Sequence, residues 1–152
     1  MRREVASGKV DLTKAFHEPD IVPRKQRPII YACSGCSDVA QLANDAAVML
    51  DHAGDFEMSC ISGVGGRVQP LLAIARSGRP TTVIDGCPLH CARTCLENAG
   101  VTPDDHVRLY EMGFKKHYGK SYGDEAVSEV CELIRQRTDD HVKNLEKALY
   151  DD

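Results

Sequence analysis

Apolar and polar positions alternate along this chain in two rhythms. Pro28 to Ala32 is a short apolar run that ends at Cys33 and reads as a first strand. Ser37 to Ala53 carries Val39, Leu42, Ala43, Ala46, Ala47 and Leu50 at the spacing of one helix face. Ser37 or Asp38 can cap its start and Gly54 follows its end. Phe56 to Ile61 predicts a second strand, and Gly63-Val64-Gly65-Gly66 a tight loop. Val68 to Ser77 predicts a helix stopped by Gly78 and Pro80, and the β-branched run Thr81 to Ile84 a third strand. Pro88 to Ala99 predicts a helix ended by Gly100, and His106 to Tyr110 a fourth strand. Met112 to Gly123 is a loop with glycines and lysines. Asp124 to Leu149 is a long helical stretch with a break expected near Asp139-Asp140.

Strands that alternate with helices predict an α/β fold of three layers. Its centre is a mostly parallel four-stranded sheet with helices on both faces, Rossmann-like in outline. Right-handed crossovers favour the strand order 2-1-3-4, with the first strand inside. Residues 1–26 show little apolar pattern and read as an N-terminal extension. Residues 27–152 read as one cysteine-rich α/β domain.

Composition narrows the function classes. The net charge of −4 and the lack of any Lys/Arg block argue against nucleic acid or an anionic membrane as partner. No run approaches the ~18 apolar residues of a membrane span. The N-terminus lacks the apolar core of a secretory signal. A cytoplasmic location, where thiols stay reduced, is the expectation. There the seven cysteines, an odd number, point to metal or redox chemistry rather than to disulfides.

Their positions support that direction. Cys33 ends the first strand, Cys60 the second, and Cys87 follows the third within Asp85-Gly86-Cys87. In a parallel sheet these ends share the C-terminal edge, the usual ligand edge of an open α/β sheet. Adjacent strands are ~4.8 Å apart. Two thiolates on one zinc are about 3.8 Å apart, from Zn–S bonds of about 2.3 Å, so modest loop bending closes the gap. Cys36 completes a CxxC with Cys33, and Cys91 and Cys95 lie along the third helix at i, i+4. Cys131 sits on an apolar helical face with Val127, Val130 and Ile134 and is expected in the core. Helix N-termini after Cys36 and Cys87 favour thiolate.

Three stretches carry a family resemblance. They are Cys33-Ser34-Gly35-Cys36-Ser37-Asp38-Val39 with Gln41-Leu42-Ala43-Asn44, Cys60 before Gly63-Val64-Gly65-Gly66, and Val83-Ile84-Asp85-Gly86-Cys87-Pro88 with Cys91. Over roughly Ile29 to Gly123 the chain resembles the DGC-domain family, whose members are expected to bind zinc. The resemblance implies four chelating cysteines, which best match Cys33, Cys60, Cys87 and Cys91. Cys36 and Cys95 are further candidates. It implies no established reaction.

Other residues have plainer readings beside the functional ones. Asp85 is expected to brace its loop by accepting backbone amides. His90 is a candidate ligand or acid, although an exposed first-turn histidine is the commoner case. The Gly63–Gly66 segment lacks the Gly-Lys-Ser/Thr of a phosphate-binding loop. Lys115, Lys116, His117 and Lys120 form either a solvated basic loop or a lid that attracts an anion.

Three functions remain open from the residues. The first is a metal-binding protein, zinc before other metals, with an open position for a small sulfur-containing or anionic ligand as a further expectation. The second is an iron–sulfur cluster protein in sulfur or electron transfer, since six candidate thiolates exceed the need of one zinc. The third is a metal-free CxxC enzyme of thiol redox or persulfide transfer.

Overall fold

The computed structural model describes residues 22–150. Its elements are β1 (Ile29–Ala32), α1 (Asp38–Ala53), β2 (Glu57–Met58), α2 (Ile61–Gly65), α3 (Gln69–Ala75), β3 (Thr81–Asp85), α4 (Cys91–Asn98), β4 (Asp105–Arg108) and α5 (Asp124–Tyr150), with 3-10 turns at Arg24–Gln26 and Leu109–Met112. All strand pairs are parallel and the order is β2-β1-β3-β4, as the sequence pattern predicts. Ile30 aligns with Met58 on one side and Thr82 on the other, and Ile84 aligns with Val107.

Every residue of β1 and β3 is buried. This is why their sequences run as continuous apolar or β-branched stretches: both faces of an inner parallel strand are covered by helices. Helix α1 buries its predicted face, Val39, Leu42, Ala43, Ala46, Ala47 and Leu50. Ser37 caps it by accepting the Ala40 N–H at 3.3 Å, and Gly54 ends it in a left-handed conformation at φ 91°. Helix α5 packs on α1. Its buried stripe is Val127, Val130, Cys131 and Ile134, each large apolar side chain contributing roughly 1.5–3 kcal/mol. Helices α2 and α4 pack together, α4 against β3.

Five boundaries differ from the sequence pattern. The second strand keeps only two ladder residues, because the chain turns into α2 at Cys60. The expected Gly63–Gly66 loop falls largely within α2. Gly63 packs there against Leu71, whose Cδ1 would have to move away from an added Cβ 1.9 Å off. The third helix begins at Cys91 rather than Pro88, because His90 adopts a left-handed conformation, φ 53°. The fourth strand runs Asp105–Arg108 and then tightens into a 3-10 turn. Helix α5 runs unbroken past Asp139-Asp140, where both residues are exposed and meet water rather than the core.

Residues 1–21 of the expected N-terminal extension lie outside the described residues. Arg24 pairs with Asp51 of α1 and also reaches the Met58 carbonyl at 3.3 Å. No helix among the described residues is long and apolar enough to cross a membrane.

Candidate functional site

The C-terminal ends of β1 and β3 form the floor of the site. Cys33 continues β1 by donating its N–H to the Ile84 carbonyl at 2.9 Å. Its side chain is nearly enclosed, and its Sγ accepts the Gly86 N–H at 3.2 Å. Burial pushes the Cys33 thiol up to about 11. The Gly86 N–H opposes this, while Asp85, Cys87 and Cys91 lie close enough to raise it further.

The Asp85-Gly86-Cys87 run divides its tasks by residue. Asp85 ends β3 and is 1% exposed. Its Oδ1 accepts the Ala92 N–H at 2.9 Å and its Oδ2 the Arg93 N–H at 3.1 Å. These are orphan amides of the first turn of α4, and His90, before that turn, offers no side-chain cap. The carboxylate therefore fixes the helix that starts at Cys91 to the end of β3. This is the bracing role expected from the sequence. Gly86 lies against α1, where a Cβ would stand 2.7 Å from the Val39 carbonyl oxygen. Only glycine lets the backbone approach so closely and present its N–H to Cys33. Cys87 follows, half-buried.

A histidine pair flanks this motif. His106 Nε2 meets Asp85 Oδ2 at 3.0 Å. Burial lowers the His106 pKa and outweighs the pull of Asp85. The His90 ring sits edge-on to His106 with centroids 4.8 Å apart, and its Nε2 meets the Tyr110 hydroxyl at 2.8 Å. His90 is thus tied to a tyrosine rather than free in solvent. The sequence offers no sign of the Asp85–His106 pair, joined by the pairing of β3 with β4, or of the His90–Tyr110 pair, joined between the segments that follow those two strands.

Four candidate thiols line one cavity of about 150 Å³: Cys33, Cys36, Cys87 and Cys91. Asp85 and Lys116 also line it. Cys36 and Cys91 are exposed. Cys60 stands at the same sheet edge, exposed at the start of α2, but does not line this cavity. Cys95 lies one turn into α4 and lines a different cavity, of about 460 Å³, with Gly65 and Arg67. Burial raises its thiol pKa, and nearby Cys91 adds to this. Cys131 is fully buried and its Sγ donates to the Ala46 carbonyl at 3.5 Å, the core position expected of it.

The four sulfurs share a cavity but are not drawn into a coordination sphere. Among the described residues, no three His, Cys, Asp or Glu side chains form a group that could hold a metal ion as they stand. The donor chemistry nevertheless suits a thiophilic metal, because the cavity offers soft ligands with an amide N–H already directed at one of them.

The segment after β4 closes one side of the cavity. Asp38, in the first turn of α1, is buried. Its Oδ1 accepts the His117 N–H at 2.6 Å, its Oδ2 meets His117 Nδ1 at 2.8 Å, and its own N–H donates to the His117 carbonyl at 3.1 Å. Burial alone would raise the Asp38 pKa, but these His117 donors and the Val39 N–H hold it below the usual value. An isolated antiparallel bridge joins Ser37 to Tyr118. Lys116, next to this clamp, brings Nζ to 3.9 Å from Cys87 Sγ. The lysines of the loop do not act alike, since only Lys116 lines the cavity.

Comparison with known proteins agrees with the geometry of the motif. The anaerobic and virulence modulator AnvM of Pseudomonas aeruginosa strain PAO1 is 57% identical over 98 residues, which cover 64% of this chain and 75% of AnvM. No solved structure matches the chain. The family model of the DGC domain matches residues 29–134, from β1 into the buried part of α5. With Asp85 capping α4, Gly86 packed on α1 and Cys87 at the cavity, the chain belongs to the DGC-domain family.

Proposed function

We propose that this protein binds a thiophilic metal, zinc before others, through Cys33, Cys36, Cys87 and Cys91. The observation that carries the reading is that these four thiols, from two separate loops, line one cavity of about 150 Å³. A zinc ion with sulfurs at about 2.3 Å needs them about 3.8 Å apart, so the exposed thiols would close on it as it binds. Cys36 and Cys91, being exposed, are free to turn inward, while Cys33 and Gly86 supply a fixed point. A metal held here would tie the β1–α1 loop to the start of α4. Its uptake or loss would then change the order of this edge, which suits sensing or delivery as well as a purely structural role.

The set differs by one residue from that implied by family resemblance, in which Cys60 stands in place of Cys36. Cys60 lies outside the cavity, and its entry would require the start of α2 to move. A metal-free CxxC reaction is less well supported, because Cys33, one of its two thiols, is nearly enclosed. An iron–sulfur cluster on the same four thiols is the second reading.

The test is metal and acid-labile sulfide analysis of protein isolated without oxygen, alongside Cys36→Ser and Cys60→Ser variants. The expected result is about one zinc per chain and no sulfide, retained in full in Cys60→Ser and held more weakly in Cys36→Ser. Iron with sulfide in equal amounts would establish the second reading. Protein free of both metals, and unable to take up added zinc, would overturn the proposal.

A further inference from the structure

Four thiolates around a divalent ion leave an excess of negative charge, which an opposite charge close by would offset. Asp85, buried on the same cavity, adds to the excess. Among the side chains lining that cavity, Lys116 is the one basic group. Its Nζ is 3.9 Å from Cys87 Sγ and 5.2 Å from the centre of the Tyr118 ring.

The place of Lys116 is set by its neighbours. His117 is fixed to buried Asp38 by three hydrogen bonds, and Tyr118 is bridged to Ser37. On the other side, the Lys115 carbonyl accepts the Tyr122 hydroxyl at 2.7 Å, and the Tyr122 ring packs edge-on against the buried Phe114. Residues 114–118 are therefore anchored on both sides of Lys116. Asp38 is two residues beyond Cys36, so one carboxylate ties the cation's segment to the CxxC loop.

We propose that Lys116 is a positioning residue of the thiolate centre, which faces the excess negative charge of the bound site through Cys87 and is held there by the Asp38–His117 clamp. The inference rests on the metal-binding reading above. Lys116 is not itself a ligand. Its part is the outer hydrogen bond and counter-charge that thiolate metal sites draw from their surroundings.

The experiment measures zinc affinity by competition with a chromophoric chelator, at low and high salt, for the wild type and for K116M, K116R, K116E and K115M. The absorption of the cobalt-substituted protein serves as a second readout. K116M is expected to bind zinc about 10–100-fold more weakly, K116E more weakly still, and K116R nearly as the wild type. K115M, which removes a neighbouring charge outside the cavity, is expected to change nothing. The deficit of K116M should shrink at high salt, where the lysine is screened, and the cobalt–thiolate bands should shift in K116M but return in K116R. Lys116 lies on the surface, so thermal unfolding of the metal-free variants should match the wild type. If K116M and K116E hold zinc as tightly as the wild type, or K116R falls as far as K116M, the inference is wrong while the metal reading stands. If the wild type binds neither zinc nor cobalt, the metal reading fails and takes the inference with it.

Discussion

The two edges of the sheet are both polar, yet they satisfy their polar groups differently. At the N-terminal edge, opposite charges find each other. Arg79 pairs with Glu57 at 2.8 Å, Arg137 with Asp105, and the Asp104 carboxylate accepts the Thr81 N–H at 2.7 Å. At the C-terminal edge the carboxylates are also consumed, Asp85 by α4 and His106, and Asp38 by His117. What remains there is sulfur. Cys33 has one amide and Cys87 one lysine, and both contacts are donors to sulfur rather than charges of equal strength. The N-terminal edge is held by ion pairs, although Arg79 Nε and Nη2 are buried there without a hydrogen-bond partner. The C-terminal edge spends its carboxylates on scaffolding and lines a cavity with thiols, which under the proposed function are the ligands of a thiophilic metal.

The comparison can be broken by substitutions on either side. Asp85→Ala should have the largest effect. It strips a buried acceptor from two helix-start amides and from His106, at roughly 2–3 kcal/mol of stability in urea unfolding. Zinc binding should weaken with it, because Cys91 is no longer fixed relative to Cys87. Cys131→Ala removes a thiol of the core, which should cost about 1 kcal/mol and leave zinc content unchanged. Equal loss of zinc in Cys131→Ala and Cys87→Ser would show that the C-terminal edge is not special. Arg137→Ala, at the opposite edge, breaks a partly exposed ion pair and should cost about 0.5 kcal/mol or less. A zinc affinity lowered by Arg137→Ala as much as by Asp85→Ala would erase the distinction between the edges.

Much of this was legible in the chain. The inner strands announce themselves because burial on both faces favours apolar and β-branched residues, with Asp85 at the end of β3 the charged exception, and right-handed crossovers then favour the order. The shared edge of Cys33, Cys60 and Cys87 follows from that order alone. The cavity does not. Whether Cys60 joins it depends on how β2 leaves the sheet, and the chain turns into α2 at that residue. The start of α4 was misplaced by three residues because a left-handed His90 has no signature in helix periodicity. The Asp38–His117 clamp joins residues 79 apart in sequence, and neither a first-turn aspartate nor a loop histidine names its partner. Nor does the lysine-rich loop show in sequence which of its lysines lines the cavity, a place that Lys116 takes and Lys115 and Lys120 do not.

The central claim is that four sulfurs of one edge gather on one metal. X-ray absorption at the zinc edge, on full-length protein loaded with one equivalent of zinc, tests it most directly. The account predicts a shell of about four sulfurs at about 2.3 Å, which loses a sulfur in Cys36→Ser and is unchanged in Cys60→Ser. A shell dominated by nitrogen or oxygen, or one that keeps all its sulfur without Cys36, would contradict it.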